Sequence, residues 1–448
     1  MKLTFYGGTK SVTGSNYILE EGGEKIMIDC GLIQGGDYAE NPNFENFEYE
    51  PSEIKAVFAT HAHIDHIGRL PKLVSDGFEG KVYSTKPTKG FAKHLLEDSV
   101  DILSREARKF DKSSFCTPGS IDSLMELWKG VGYGDTVEEG PFKVTFYNAG
   151  HILGSSFVRV EVGDKSVVFS GDLGNSPAPL IKEREPMPEA DYVLMESTYG
   201  GEKHEPREKV VGELEDVIEK VVKNKGTLII PSFALERTQA LIYHIHDLMT
   251  DKKIPEMPVF LDSPLAMRLT DVYKSFKSKL DEETQEFLDE GHDLFEFPEL
   301  HMTRTSKESK AIWNEGNPKI IIAGAGMSQG GRILHHEKRF LPGKENTILM
   351  VGYQVEGSLG RKILDGYDEV KIDGKSIPVN ANVEYIPGYS AHADQPQLLE
   401  WLQSARFDLE KIYLVQGETD HMEPLKTKIM DDMAIPVEIP EKGQSIEL

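Results

Sequence analysis

A chain of 448 residues, 39% of them hydrophobic, has material for two or three domains with sizeable cores. Its formal net charge of −25 argues against a uniformly basic nucleic-acid surface, and no apolar run approaches the roughly 18–20 residues that span a bilayer. The two cysteines, Cys30 and Cys116, build no disulfide framework and lie in no Cys-x-x-Cys spacing, so a reducing cytoplasm is the expected location.

The N-terminus reads as a first strand, with Leu3 and Phe5 on one face, and not as a secretory signal. Residues 15–19 and 25–28 flank Glu21-Gly22-Gly23, a hairpin signal. A short apolar run, 54–59, ends directly before His61. Strands are expected at 142–147, 156–162 and 165–169, the last two joined through Gly163-Asp164. Another, 192–195, ends on Glu196. Each run stops at a polar residue: Asp29, His61, His151, Asp172 or Glu196. That is the arrangement of a site at a sheet edge.

Near Gly200 the pattern changes. Residues 208–223 place Val210, Val211, Leu214, Val217, Ile218 and Val221 at helical spacing. A strand at 227–230 and a helix at 235–249 follow, then a strand at 259–261 and a helix at 264–278 that opens on Pro264. Strands are expected again at 319–322, before a glycine-rich loop, and at 347–351. Strands alternating with helices imply parallel βαβ units and a Rossmann-like domain. After Gly366 hairpins return at 369–372 and 383–386, and 412–415 is one more strand. The simplest organisation is an insertion, with one domain formed by 1–205 and 367–448 and interrupted by 206–366.

The densest chemistry is His61-Ala62-His63-Ile64-Asp65-His66. A strand end followed by a tight turn directs His61 and His63 to one metal and brings Asp65 and His66 to a second position beside it. Imidazole and carboxylate suit Zn2+, with Mn2+ or Fe2+ as alternatives. His151 and Asp172 follow strands between glycines, and a carboxylate such as Asp172 can bridge two cations. Asp29 is expected behind the ligands, orienting a histidine.

This His-x-His-x-Asp-His core, followed by a distant His and an Asp, resembles the metallo-β-lactamase superfamily. Glu196-Ser197-Thr198-Tyr199-Gly200 is similar to motif A of the β-CASP nucleases, and Tyr389-Ser390-Ala391-His392-Ala393-Asp394 to motif B. Asp262-Ser263-Pro264-Leu265-Ala266, the run Gly324 to Arg332 and Val351-Gly352-Tyr353-Gln354 add to the likeness. It covers the chain from near residue 1 to about 420 and is closest to bacterial and archaeal ribonucleases related to the cleavage and polyadenylation factor nuclease. The resemblance implies an α/β fold: an αββα metallo-β-lactamase sandwich with an inserted Rossmann-like β-CASP domain. It also implies a zinc-dependent ribonuclease acting on single-stranded RNA in the interdomain cleft. There a metal-activated hydroxide would attack phosphorus, with His392 assisting the leaving group, Glu196 supporting the site and Asp65 taking part in catalysis.

The glycine-rich turn after 319–322 exposes backbone N–H groups suited to phosphate, with Ser328, Arg332, His335 and His336 as candidate donors. From His301 to Lys344 eight Lys and Arg face three Glu. One motif departs from the family. Val415-Gln416-Gly417-Glu418 carries Gln416 where the ribonuclease branch has a ligating histidine. Two zinc ions are expected, the second left open by Gln416, with His421 as a candidate to reach back to it. RNA is the expected partner, with no membrane, and a homodimer is allowed. The competing readings are a weak or inactive nucleic-acid-binding homologue and a metal hydrolase of DNA or of small esters.

Overall fold

The structure is a computed structural model describing residues 1–34, 42–352 and 354–448. Tyr353, in the 351–354 run noted above, lies outside the described residues. The chain divides into two compact units, Met1–Lys203 with His392–Leu448, and His204–Ala391.

The first unit is built on two seven-stranded sheets. One runs in the order Ser445–Glu447, Lys2–Gly7, Asn16–Glu21, Glu24–Ile28, Ile54–Phe58, Lys81–Thr85, Trp128–Val131. The other runs Val437–Glu438, Lys411–Val415, Tyr192–Glu196, Lys165–Phe169, Ser156–Val162, Phe142–Asn148, Thr136–Glu139. Alternate residues of both sheets, among them Phe5, Ile28, Phe58, Phe146, Val158, Phe169, Leu194 and Val415, form one core between them. Side chains of this size each gain about 1.5–3 kcal/mol from full burial. The opposite face of the second sheet, through Val168, Val193, Met195, Ile412 and Leu414, packs on helices Gln395–Gln403 and Thr419–Met433. Helix Lys86–Lys109 covers the first sheet beside Lys81–Thr85 and Trp128–Val131. The result is the expected αββα sandwich.

Register explains where the polar residues collect. Glu24–Ile28 pairs in parallel with Ile54–Phe58, Lys165–Phe169 with Tyr192–Glu196, and Tyr192–Glu196 with Lys411–Val415. Within each sheet the C-terminal ends of these strands therefore lie side by side. Asp29, His61, Asp172, Glu196 and Gln416 leave from those ends.

The second unit holds a six-stranded, fully parallel sheet in the order Leu300–Met302, Val259–Leu261, Lys319–Ala323, Thr227–Pro231, Thr347–Met350, Asn382–Tyr385. Helix Arg207–Asn224 leads into its first strand, and helices Arg237–Thr250, Pro264–Ser275 and Ile333–Phe340 connect successive strands, the Rossmann-like pattern. This unit continues past Gly366 to Ala391. Val370 and Ile372 of the hairpin Glu369–Ile372/Lys375–Pro378 pack with Ile348, Met350 and Ile363, and Asn382–Tyr385 adds the edge strand. No helix among the described residues is long and apolar enough to cross a membrane.

Candidate metal centre

Asp29, directly after Glu24–Ile28, has a left-handed backbone with φ 58°. Its carboxylate accepts the Thr60 N–H at 2.8 Å, the Thr60 hydroxyl at 2.9 Å, the Ser15 hydroxyl at 3.2 Å and His66 Nδ1 at 2.7 Å. One buried carboxylate thus fixes the turn in which the histidines sit. Backbone contacts complete the clamp: Cys30 N–H donates to the His66 carbonyl, and Ser15 N–H to that of Asp65. Gly31 is required here, because a Cβ would collide with the Asp65 carbonyl.

The turn delivers His61 from the end of Ile54–Phe58 and His63 as the residue capping the short helix Ile64–Ile67. His151 enters from the loop after Phe142–Asn148, where its N–H and that of Ile152 both donate to Ser155 Oγ. Asp172 follows Lys165–Phe169. A Cβ at Gly174, two residues on, would strike the Gly150 carbonyl, so the loops of His151 and Asp172 approach as closely as glycine permits.

Ligand atoms of His61, His63, His151 and Asp172 all lie within 4.8 Å of one another. His61 Nε2 is 3.0 Å from His63 Nδ1, His151 Nε2 is 3.2 Å from His63 Nδ1, and Asp172 Oδ2 is 3.3 Å from His61 Nε2 and 3.6 Å from His151 Nε2. A tetrahedral ion with bonds of about 2.1 Å has ligand edges of about 3.4 Å. The four residues fit such an ion in both spacing and donor chemistry. Burial holds the His63 and His151 rings well below the usual histidine range, which keeps them neutral and able to coordinate. Burial would raise Asp172, but the charges of His66 and His61 hold it well below the usual carboxylate range.

His66 and Asp65 stand on the other side of Asp172. His66 Nε2 lies 3.2 Å from Asp172 Oδ1 and 3.8 Å from Asp65 Oδ2, and burial pushes the Asp65 carboxyl up. Asp172, Glu196 and His392 form a second convergent group. The fully buried Glu196 carboxylate accepts the Leu173 N–H and lies 3.2 Å from His392 Nδ1. Burial alone would lower His392, but the Glu196 charge and hydrogen bond raise it to about 9. Its loop is held by a bridge to Gly174, with Ala393 N–H donating to the Leu173 carbonyl.

Other sequence candidates fall elsewhere. His421 lies in the first turn of Thr419–Met433, with Nε2 3.9 Å from Glu202 Oε1, and belongs to neither ligand group. Gln416, in contrast, reaches the centre: its carboxamide is 2.8 Å from His66 Nε2 and 3.1 Å from Asp172 Oδ1. In the second unit the expected phosphate donors are engaged internally. Arg332 Nη1 is 2.6 Å from Asp262 Oδ1 and also donates to the Thr303 carbonyl, while Nη2 donates to the Arg304 carbonyl. His336 is fully buried, donating from Nε2 to Asp262 at 2.7 Å and accepting from Trp313 Nε1 on Nδ1. Buried Ser328 donates to Glu337, and only His335 is exposed. Thr60 and Ser15, which brace Asp29, were missed by the sequence reading. The one signal was the position of Thr60, immediately before His61.

Residues 11–232 match the family model described as the metallo-beta-lactamase superfamily, 238–363 the Beta-Casp domain, and 376–440 the Zn-dependent metallo-hydrolase RNA specificity domain. The chain is 35% identical to Ribonuclease TTHA0252 of Thermus thermophilus, over 94% of each chain. It is 31% identical to RNase aCSPSF2 of Saccharolobus solfataricus, over all of this chain and 85% of that one. It is 30% identical to Transcription termination factor FttA of Methanocaldococcus jannaschii, over 93% of this chain and 67% of that one. A crystal structure of a protein of unknown function from Enterococcus faecalis V583 superposes with a TM-score of 0.60 at 14% identity, covering 100% of this chain and 99% of that one, a likeness of fold alone.

Proposed function

Because this chain belongs to the metallo-beta-lactamase superfamily, in its Beta-Casp branch, we propose that it is a metal-dependent ribonuclease hydrolysing phosphodiester bonds of single-stranded RNA. The observation that carries this reading is the juxtaposition, around Asp172, of a four-residue candidate cation site and the buried Glu196 paired with His392.

His61, His63, His151 and Asp172 would hold the cation, with Zn2+ the ion their donors suit best. A divalent ion there supplies Lewis-acid activation of water and neutralises charge developing on the phosphate. Asp65, partly buried beside His66, would take a proton from the attacking water. Glu196 is a positioning residue. It holds the His392 ring by Nδ1, which leaves the proton on Nε2 as the one to be delivered to the departing 3′ oxygen. Asp29 sets the ring of His66 from behind.

The test uses single-stranded RNA and DNA of equal length. Chelator-treated protein should cleave neither, and restoring zinc or manganese should restore RNA cleavage. His392→Ala should slow it at least about 100-fold with the metal retained. Metal-loaded protein that cleaves no RNA, with His392→Ala indistinguishable from it, would defeat the reading.

A further inference from the structure

We propose that Gln416 makes this a single-metal centre: its carboxamide fills the place beside His66 and Asp172 that a second cation would take, leaving one tight site at His61, His63, His151 and Asp172. The inference rests on the metal-dependent reading above and concerns how many ions this chain holds.

The two oxygens of Asp172 face different neighbours. Oδ2 lies toward His61 and His151, at 3.3 and 3.6 Å, whereas Oδ1 lies toward His66 Nε2 at 3.2 Å. His66 has already committed Nδ1 to Asp29, so Nε2 is its remaining ligand atom. Gln416 presses its carboxamide against both atoms on this side, 2.8 Å from His66 Nε2 and 3.1 Å from Asp172 Oδ1.

The side chain is held there by its backbone. Gln416 follows the strand Lys411–Val415, has a left-handed φ of 46° and is 2% exposed. Its N–H donates to the Gly8 carbonyl at 2.7 Å, and its own carbonyl accepts from Ser197 N at 3.2 Å and Thr198 Oγ1 at 3.1 Å. With the peptide pinned on both sides, the side chain leaves in one direction, toward His66.

A carboxamide offers both donors and an acceptor. Its NH2 donates one hydrogen to Asp172 Oδ1 at 3.1 Å and turns the other to His66 Nε2 at 2.8 Å, while His66 Nδ1 faces Asp29, so both atoms have partners without a cation. As a ligand, a neutral amide oxygen is a poorer zinc donor than an imidazole nitrogen or a thiolate. The residue that most restricts this side therefore supplies hydrogen bonds in place of coordination.

The experiment is zinc stoichiometry on the full-length chain, stripped with chelator, titrated with ZnCl2 by calorimetry and assayed by elemental analysis after desalting. The native chain should bind one zinc tightly. Gln416→Met, similar in length and without amide hydrogen bonds, should also bind one, and Gln416→His should bind two. Two tightly held ions on the native chain, or a zinc lost in Gln416→Met, would overturn the inference while leaving the metal-dependent reading intact. A folded Gln416→His chain, verified by circular dichroism and Tm, that stays at one zinc would also overturn it. No zinc on the native chain would overturn both. If Gln416→His does not fold, the native and Gln416→Met counts still decide.

Discussion

Asp29 Oδ2 lies 2.7 Å from Nδ1 of His66, and the same carboxylate binds both the N–H and the hydroxyl of Thr60. One side chain at the end of a core strand therefore sets the ring orientation of His66 and, through Thr60, whose hydroxyl lies 3.1 Å from His61 Nδ1, the residue leading into the candidate ligand His61. Asp29→Ala is predicted to weaken zinc affinity about 10–100-fold, the usual cost of losing such a partner, with Asp29→Asn nearer to native because one acceptor oxygen remains. Chelator competition measures this. Unchanged affinity in Asp29→Ala would mean that the turn is held without it.

Glu196 raises the His392 imidazole and orients it through Nδ1. If protonated His392 assists the leaving group, kcat falls as pH rises through its pKa. Removing the carboxylate charge in Glu196→Gln should shift that alkaline limb to lower pH by roughly 1–2 units. The pH profile of kcat on single-stranded RNA is the readout, and a limb that does not move would remove His392 from the proton transfer. In metal-free protein the pair has a second consequence. Stabilisation from protonated His392 is fully present below about pH 6.5 and is lost as pH rises through about 9.

Asp262 gathers Arg332, His336, Thr303 and Ser309 in the interior of the second unit. Burial would raise its carboxyl, but these hydrogen bonds hold it well below the usual range. Its contribution to stability is thus present above the ordinary carboxylate pKa and lost as pH falls through the lower folded value. Asp262→Ala leaves a partly buried guanidinium and a fully buried imidazole without this acceptor and is expected to cost about 3–5 kcal/mol in urea unfolding. Arg332→Ala should likewise lower stability while changing RNA affinity little. A variant of native stability with tenfold weaker RNA binding would restore Arg332 to the phosphate role.

Glu337 is fully buried, receives one hydrogen bond from Ser328, and its Oε2 has no partner among the described residues. Burial pushes its carboxyl up to about 7. The folded chain then binds a proton that the unfolded chain has released between about pH 4.5 and 7, so stability falls as pH rises through that window. At about 1.4 kcal/mol per unit the loss approaches about 3 kcal/mol by pH 8. Glu337→Gln keeps an acceptor for Ser328 and removes the ionisation. It should be the more stable chain at pH 8 and show a flatter pH dependence from 4.5 to 8 in urea titrations. Parallel curves for the two chains would contradict this.

The candidate centre was legible because the residues that converge there are marked locally. His61, His63, Asp65 and His66 share one turn, and His151 and Asp172 each follow a recognisable strand. What stayed hidden depends on partners distant in sequence. Arg332 and His336 look like phosphate donors until Asp262, far away in the chain, is seen to hold both. Nothing near Asn382–Tyr385 announces that it pairs in parallel with Thr347–Met350, so its hairpin neighbourhood reads as part of the other domain. Helix Lys86–Lys109 escaped notice because its buried positions, Phe91, Leu95, Leu96 and Leu103, are interrupted by charged residues between 97 and 101. The environment of Gln416 could not be read at all: the sequence showed a substitution, and only the fold shows that its amide meets His66 and Asp172.

The most direct test of hydrolysis at this centre is to cleave single-stranded RNA with metal-loaded protein in 18O-labelled water and analyse the new ends. Cleavage with His392 protonating the 3′ oxygen predicts 3′-hydroxyl and 5′-phosphate ends, with one 18O in each new 5′-phosphate. It also predicts cleavage at a bond preceded by a 2′-deoxy residue. Ends carrying 2′,3′-cyclic phosphate, with no label in a 5′-phosphate and no cleavage at the 2′-deoxy position, would show attack by the RNA's own hydroxyl and contradict the account.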